Sequence, residues 1–81
     1  MKRDEVMAVI SSILKNEYDY KGDVSDETHL IQDASLDSLD TVEFIMKVEK
    51  EFDISVADSE AEKVSTAGQA CDLVMAKLEK K

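Results

Sequence analysis

The chain has no proline, only two glycines and a single cysteine among its 81 residues. Without proline nothing in the sequence forces a helix to stop, and Glu, Lys, Leu, Ala and Met are plentiful, so the composition favours helices. One cysteine, Cys71, excludes an intramolecular disulfide and fits a reducing, cytoplasmic setting. Cys71 and His29 do not fall in a ligand-spaced cluster, so no metal site is expected from them. Basic residues are scarce as well: 10 Lys and Arg stand against 19 Asp and Glu, for a net charge of -9. That balance argues against nucleic acid, which is bound by basic patches, and against anionic membrane surfaces. It suits partner proteins with basic docking patches. No apolar run approaches membrane-spanning length. The opening Met1-Lys2-Arg3-Asp4-Glu5 leads into no long apolar stretch, so no signal peptide is expected.

The length fits one small domain over residues 1–81 with a modest core. From Asp4 to about Glu17, Val6, Val9, Ile10, Ile13 and Leu14 recur at helical spacing and predict an amphipathic helix. A long connection follows from Tyr18 to Leu36, marked by Gly22 and several Asp and Ser residues. Val24, Leu30 and Ile31 are its expected anchors to the core. Its carboxylates, including Asp19, Asp23, Asp26 and Asp33, do not match the spacing of an EF-hand loop. His29 reads as a partly exposed loop residue without catalytic work. Asp58 is the expected cap of a short helical piece within Asp53 to Val64, with Val56, Ala61 and Val64 reaching inward. From Thr66 to about Lys80 the pattern is helical again. Thr66 and Gln69 form a capping box there, and Ala67, Ala70, Cys71, Val74 and Leu78 form an inner stripe. The expectation is all-α: a small four-helix bundle of three longer helices and one short one, with a long loop between the first and second.

The most informative stretch is Asp37-Ser38-Leu39-Asp40-Thr41-Val42-Glu43. Asp37 is a good N-cap, Asp40 stands three residues on where it can reach back, and Ser38 takes the first helical position. Over Ser38 to about Phe52 the helix carries two apolar stripes. Thr41, Phe44, Ile45, Val48 and Phe52 follow one face; Leu39, Val42 and Met46 follow another. The second stripe has two readings: a wide buried arc against neighbouring helices, or a docking face rimmed by acids. An isolated Asp-Ser-Leu is a weak motif. A serine with no base beside it is also a poor nucleophile. No base, oxyanion or ligand constellation supports a hydrolase, so the chain is not expected to be an enzyme.

Asp-Ser-Leu is not isolated here. With Asp40-Thr41-Val42-Glu43, Met46, Glu49, Glu51-Phe52-Asp53 and Ala61-Glu62-Lys63-Val64, it resembles the acyl carrier protein family over nearly the whole chain. The resemblance implies that Ser38 carries a 4'-phosphopantetheine arm, donated by coenzyme A and installed by a phosphopantetheinyl transferase. The arm would hold acyl groups as thioesters for acyl-transfer and synthase enzymes of fatty-acid or related biosynthesis. The same resemblance implies partner docking through Asp37, Leu39, Asp40, Val42, Glu43, Met46, Glu49, Val56 and Glu62, by a monomeric protein that holds no metal. An acyl chain could enter between the helices. The alternative is an unmodified interaction module that docks through its acidic helix. Two features depart from the family pattern and point to a specialised carrier. Ala34-Ser35 stands where Leu-Gly is usual, and Lys47 and Lys50 dilute the acidity of the second helix.

Overall fold

The computed structural model describes residues 2–80. Four helices follow in order: α1 Arg3–Glu17, α2 Ser38–Phe52, α3 Asp58–Ala61 and α4 Ala67–Glu79. The four-helix, all-α expectation holds, with α3 the short element. Each longer helix buries one stripe. Val6, Ile10, Ile13 and Leu14 point inward from α1; Thr41, Phe44, Ile45, Val48 and Phe52 from α2; Ala67, Ala70, Cys71 and Val74 from α4. Thr41 apart, these side chains join one contiguous apolar core, in which removing each Val, Leu, Ile or Phe side chain from water contributes about 1.5–3 kcal/mol. Val9 and Leu78 sit half-buried at its edge. The principal packing is α1 against α4, with α2 laid across both and α3 against α2.

Residues 18–37 form the long connection, and backbone hydrogen bonds to the start of α4 hold it. The Leu30 amide donates to the Ser65 carbonyl at 2.9 Å, Ala67 to Thr28 at 2.9 Å, and Gly68 to Asp26 at 3.1 Å. His29 and Thr66 form an isolated antiparallel bridge. Gly68 makes this approach possible: a β-carbon there would lie 2.7 Å from the Asp26 carbonyl oxygen, against backbone that cannot swing away. Arg3 closes the same seam from α1, with its guanidinium 2.8 Å from Asp26 and 3.0 Å from Asp72. Part of the loop's acidity is therefore used in holding the fold. Asp33 serves locally, accepting from the His29 amide at 2.7 Å. His29 is itself a turn-former, its Nδ1 accepting from the amides of Ile31 and Gln32 at 3.2 and 3.1 Å.

Two sequence-based expectations need correction, and one core residue was not anticipated. Leu30 is fully buried and Val24 half-buried, but Ile31 is 50% exposed and anchors nothing. The Leu30–Ser65 bond turns Leu30 inward, and in the tight turn that follows, the amides of Asp33 and Ala34 both return to the His29 carbonyl. The inner positions of this segment go instead to Thr28, Ala34 and Leu36. At α3 the cap is Ala57, not Asp58, which is the first helical residue. The Ala57 carbonyl opens the ladder, and Glu60 reaches back to the Ala57 amide at 3.1 Å. Finally, Ile54 enters the core just after α2. Asp53 makes that possible by taking the left-handed conformation (φ 53°), which turns the chain back inward.

Candidate functional site

The start of α2 is built by reciprocal capping. The Asp40 amide donates to the Asp37 carboxylate at 2.8 Å, and the Asp37 amide donates to the Asp40 carboxylate at 3.3 Å. Thr41 secures the first turn from beneath, donating its hydroxyl to the Asp37 carbonyl at 3.0 Å. Two orphan groups at the helix start are thereby satisfied, which stabilises the end by about 0.5–2 kcal/mol. Ser38 occupies the first helical position and is exposed. Its hydroxyl has no hydrogen-bond partner among the described residues. The entry to this turn is strained: Ser35 has φ 61°, a left-handed conformation that glycine adopts freely and other residues pay for. Ala34, just before it, is buried.

Ser38 lies at the rim of a cavity of about 360 Å³ between α2 and α3. Leu39, Thr41 and Val42 line it from α2, Ala61 and Glu62 from α3, Val64 and Ser65 from the next connection, and Ile31 from the long loop. The surface is mostly carbon, and the volume falls within the range of small-molecule sites, roughly 300–1,000 Å³. Ile31 is thus a site residue that sequence reasoning assigned to the core. The signal available was its pairing with Leu30: adjacent residues of a loop rarely both face inward.

The second apolar stripe is not a buried arc. Leu39 is 80% exposed, Val42 41% and Met46 54%. The expected docking acids divide into three groups. The Asp37 and Asp40 carboxylates bond only to each other's amides and carry no cationic partner among the described residues; Glu62 is exposed at the cavity. Glu43 is neutralised: Lys47 Nζ lies 2.8 Å from its carboxylate, and the Tyr18 hydroxyl donates to it at 3.1 Å. Those two bonds, Lys47 first, hold the Glu43 carboxyl below its ordinary range, and the same pairing raises the Lys47 ammonium. Tyr18 in turn is pushed up, chiefly by burial, with its ring edge-on to Phe44 and Lys47 5.0 Å from its centroid. Glu49 and Val56 meet each other at the far end of the helix, where the Glu49 carboxylate accepts from the half-buried Val56 amide at 3.1 Å. That end stands about 16 Å along the helix from Ser38, at 1.5 Å per residue.

Elsewhere, Cys71 is buried and its thiol is pushed up by desolvation, which suits a packing role and not a nucleophile. Among the described residues no three His, Cys, Asp or Glu side chains gather as a metal site, and no helix is long and apolar enough to cross a membrane.

A family model described as a phosphopantetheine attachment site matches residues 4–74. An acyl carrier protein of Picosynechococcus sp. is 42% identical over 74 residues, covering 90% of this chain and 91% of that protein. Among solved structures, the acyl carrier protein of Enterococcus faecalis superposes with a TM-score of 0.79 at 32% identity, over 95% of this chain and 99% of that one. That of Thermotoga maritima gives a TM-score of 0.84 at 26% identity, over 99% and 94%.

Proposed function

Because the chain belongs to the acyl carrier protein family, we propose that Ser38 is its point of attachment for 4'-phosphopantetheine and that the exposed stripe of α2 is its docking face. The protein is a carrier of acyl groups, not an enzyme. When attached, the arm supplies a terminal thiol that holds acyl groups as thioesters.

The observation that carries the assignment is the state of the Ser38 hydroxyl: exposed, at the first position of α2, unbonded within the described chain, and beside an apolar cavity. A hydroxyl with no neighbouring base is a substrate and not a nucleophile in its own right. The base that takes its proton therefore belongs to a phosphopantetheinyl transferase. Helix geometry leaves the first-turn amides without intrahelical acceptors, so a phosphodiester on Ser38 would sit where negative charge is favoured. Leu39, Val42 and Ile31 give the cavity mouth an apolar lip suited to an acyl chain. Asp37 and Asp40, close to the serine and without cations of their own, would meet the basic patch of a transferase or synthase. Leu39, Val42 and Met46 would supply the apolar contact. Glu43, Glu49, Val56 and Glu62 complete the proposed docking set.

We place this activity in the cytoplasm, by a monomer, with the described chain working as one carrier domain. The left-handed Ser35, at the place where the family pattern has glycine, and the paired Lys47 support a specialised member. The test is intact mass after incubation with coenzyme A, magnesium and a broad-specificity phosphopantetheinyl transferase, with Ser38→Ala alongside. Gain of one arm by the native chain alone is the expected result. A folded native chain that starts without the arm and gains none would favour the unmodified docking module.

A further inference from the structure

The outer stripe of α2 does not end at Met46. Leu39, Val42, Met46 and Lys50 succeed one another at intervals of three and four residues, so Lys50 stands in line with the apolar contacts. It is exposed and enters no ion pair among the described residues. The acids around it are placed differently. Glu49 accepts from the Val56 amide, Glu49 and Glu51 each stand about 100° around the helix from Lys50, and Asp53 lies beyond the helix end in a left-handed turn. One turn earlier, Lys47 already cancels Glu43 at 2.8 Å. The charge along the docking face therefore changes in sequence. It is negative at Asp37, Asp40 and Glu62 and balanced at Glu43 and Lys47; at the far end Glu49 keeps its charge while accepting from the Val56 amide, and the cation Lys50 stands in line with the apolar contacts.

Resting on the docking reading above, we propose that Lys50, supported by Lys47, determines partner specificity. The occupant that fits is an enzyme whose basic patch is confined to the first two turns of α2. An enzyme whose patch runs the length of the helix places a cation against Lys50 and is disfavoured, since like charges at an interface rim slow encounter and suppress the wrong partners. Lys50 also sits in the last turn of α2, where a cation favours the helix dipole. That structural role would change thermal stability, but not a salt-dependent affinity.

The test uses the full chain with a broad-specificity phosphopantetheinyl transferase that docks through a basic patch along the helix. Binding is measured by calorimetry in the Ser38→Ala background, where attachment plays no part, and kcat/KM for modification is measured in the native background. Lys50→Glu is expected to tighten binding about 5-fold, and Lys50→Gln about 2-fold. The gain appears in KM and leaves kcat alone, and it disappears at about 0.5 M salt, where screening shortens the range of the interaction. Unchanged or weaker binding in both variants would overturn the proposal. So would a salt-sensitive dimer in sedimentation that Lys50→Glu abolishes, since it would make a second copy the occupant. Failure of Ser38 to be modified, with the binding order intact, would overturn only the attachment reading.

Discussion

Helix α2 has two apolar faces, and they have opposite fates. Thr41, Phe44, Ile45, Val48 and Phe52 are buried, while Leu39, Val42 and Met46 stand 41–80% exposed on the other side. The residue types are similar, so hydrophobicity alone does not separate them. What separates them is the presence of a neighbour. α1 and α4 cover the inner face, whereas the short α3 and the loop at Ile31 reach only the edge of the outer one and leave a cavity beside Ser38. A single helix thus holds the fold together with one face and leaves the other open, which is the face proposed for docking.

The sharpest way to break that comparison is to truncate one residue on each face. Phe44→Ala removes a fully buried ring that meets Tyr18 at 6.3 Å, and should destabilise by about 3–5 kcal/mol. Met46→Ala, half-exposed, should stay within about 0.5 kcal/mol of the native chain while weakening partner binding. Urea unfolding of the two variants checks this; equal losses would mean that the outer face is structural after all.

A smaller effect is expected at the entrance to the helix. Ser35→Gly relieves a left-handed serine at φ 61° but enlarges the unfolded ensemble, for a net gain of about 0.5–1 kcal/mol. Thermal melting decides it, and a lower midpoint would show that the Ser35 side chain contributes more than its backbone costs.

The smallest effect concerns pH. Glu43 is held below its ordinary value of 4.5 by Lys47 and then Tyr18. A carboxyl with a depressed folded-state pKa contributes stability that is fully present above the unfolded value and is lost as pH falls through the folded one. Native stability should therefore decline from about pH 4.5 downward, and Glu43→Gln should flatten that decline slightly, because the pair is solvent-exposed. Identical acid profiles by circular dichroism would show that the pair contributes nothing on folding.

Much of the site was legible without coordinates because its determinants are local. Asp37 and Asp40 stand three residues apart and cap each other as that spacing requires, which puts Ser38 at the first helical position. The same holds for Thr66 and Gln69, which exchange bonds at 3.1 and 3.2 Å. The loop was less legible. Leu30 and Ile31 are alike in chemistry and adjacent, and their assignment depends on a hydrogen bond to Ser65, 35 positions along the chain from Leu30. The Asp58 cap misled for a related reason. Ala57 has no capping side chain, but Glu60 serves from within the helix and is itself held by Lys77 of α4 at 2.9 Å.

The sequence by itself determined the helices, their inner stripes, the capped serine and the acidic balance, because each arises from residues within a turn or two of one another. It also carried the family resemblance. Tertiary structure alone decided that the second stripe of α2 stays open and that Ile31 joins it at the cavity. It also decided that Tyr18, from the end of α1, joins the local Glu43–Lys47 pair, while nothing comparable reaches Asp37 and Asp40. These outcomes depend on which surfaces meet across long chain separations. Period and composition, which describe one element at a time, contain no term for that.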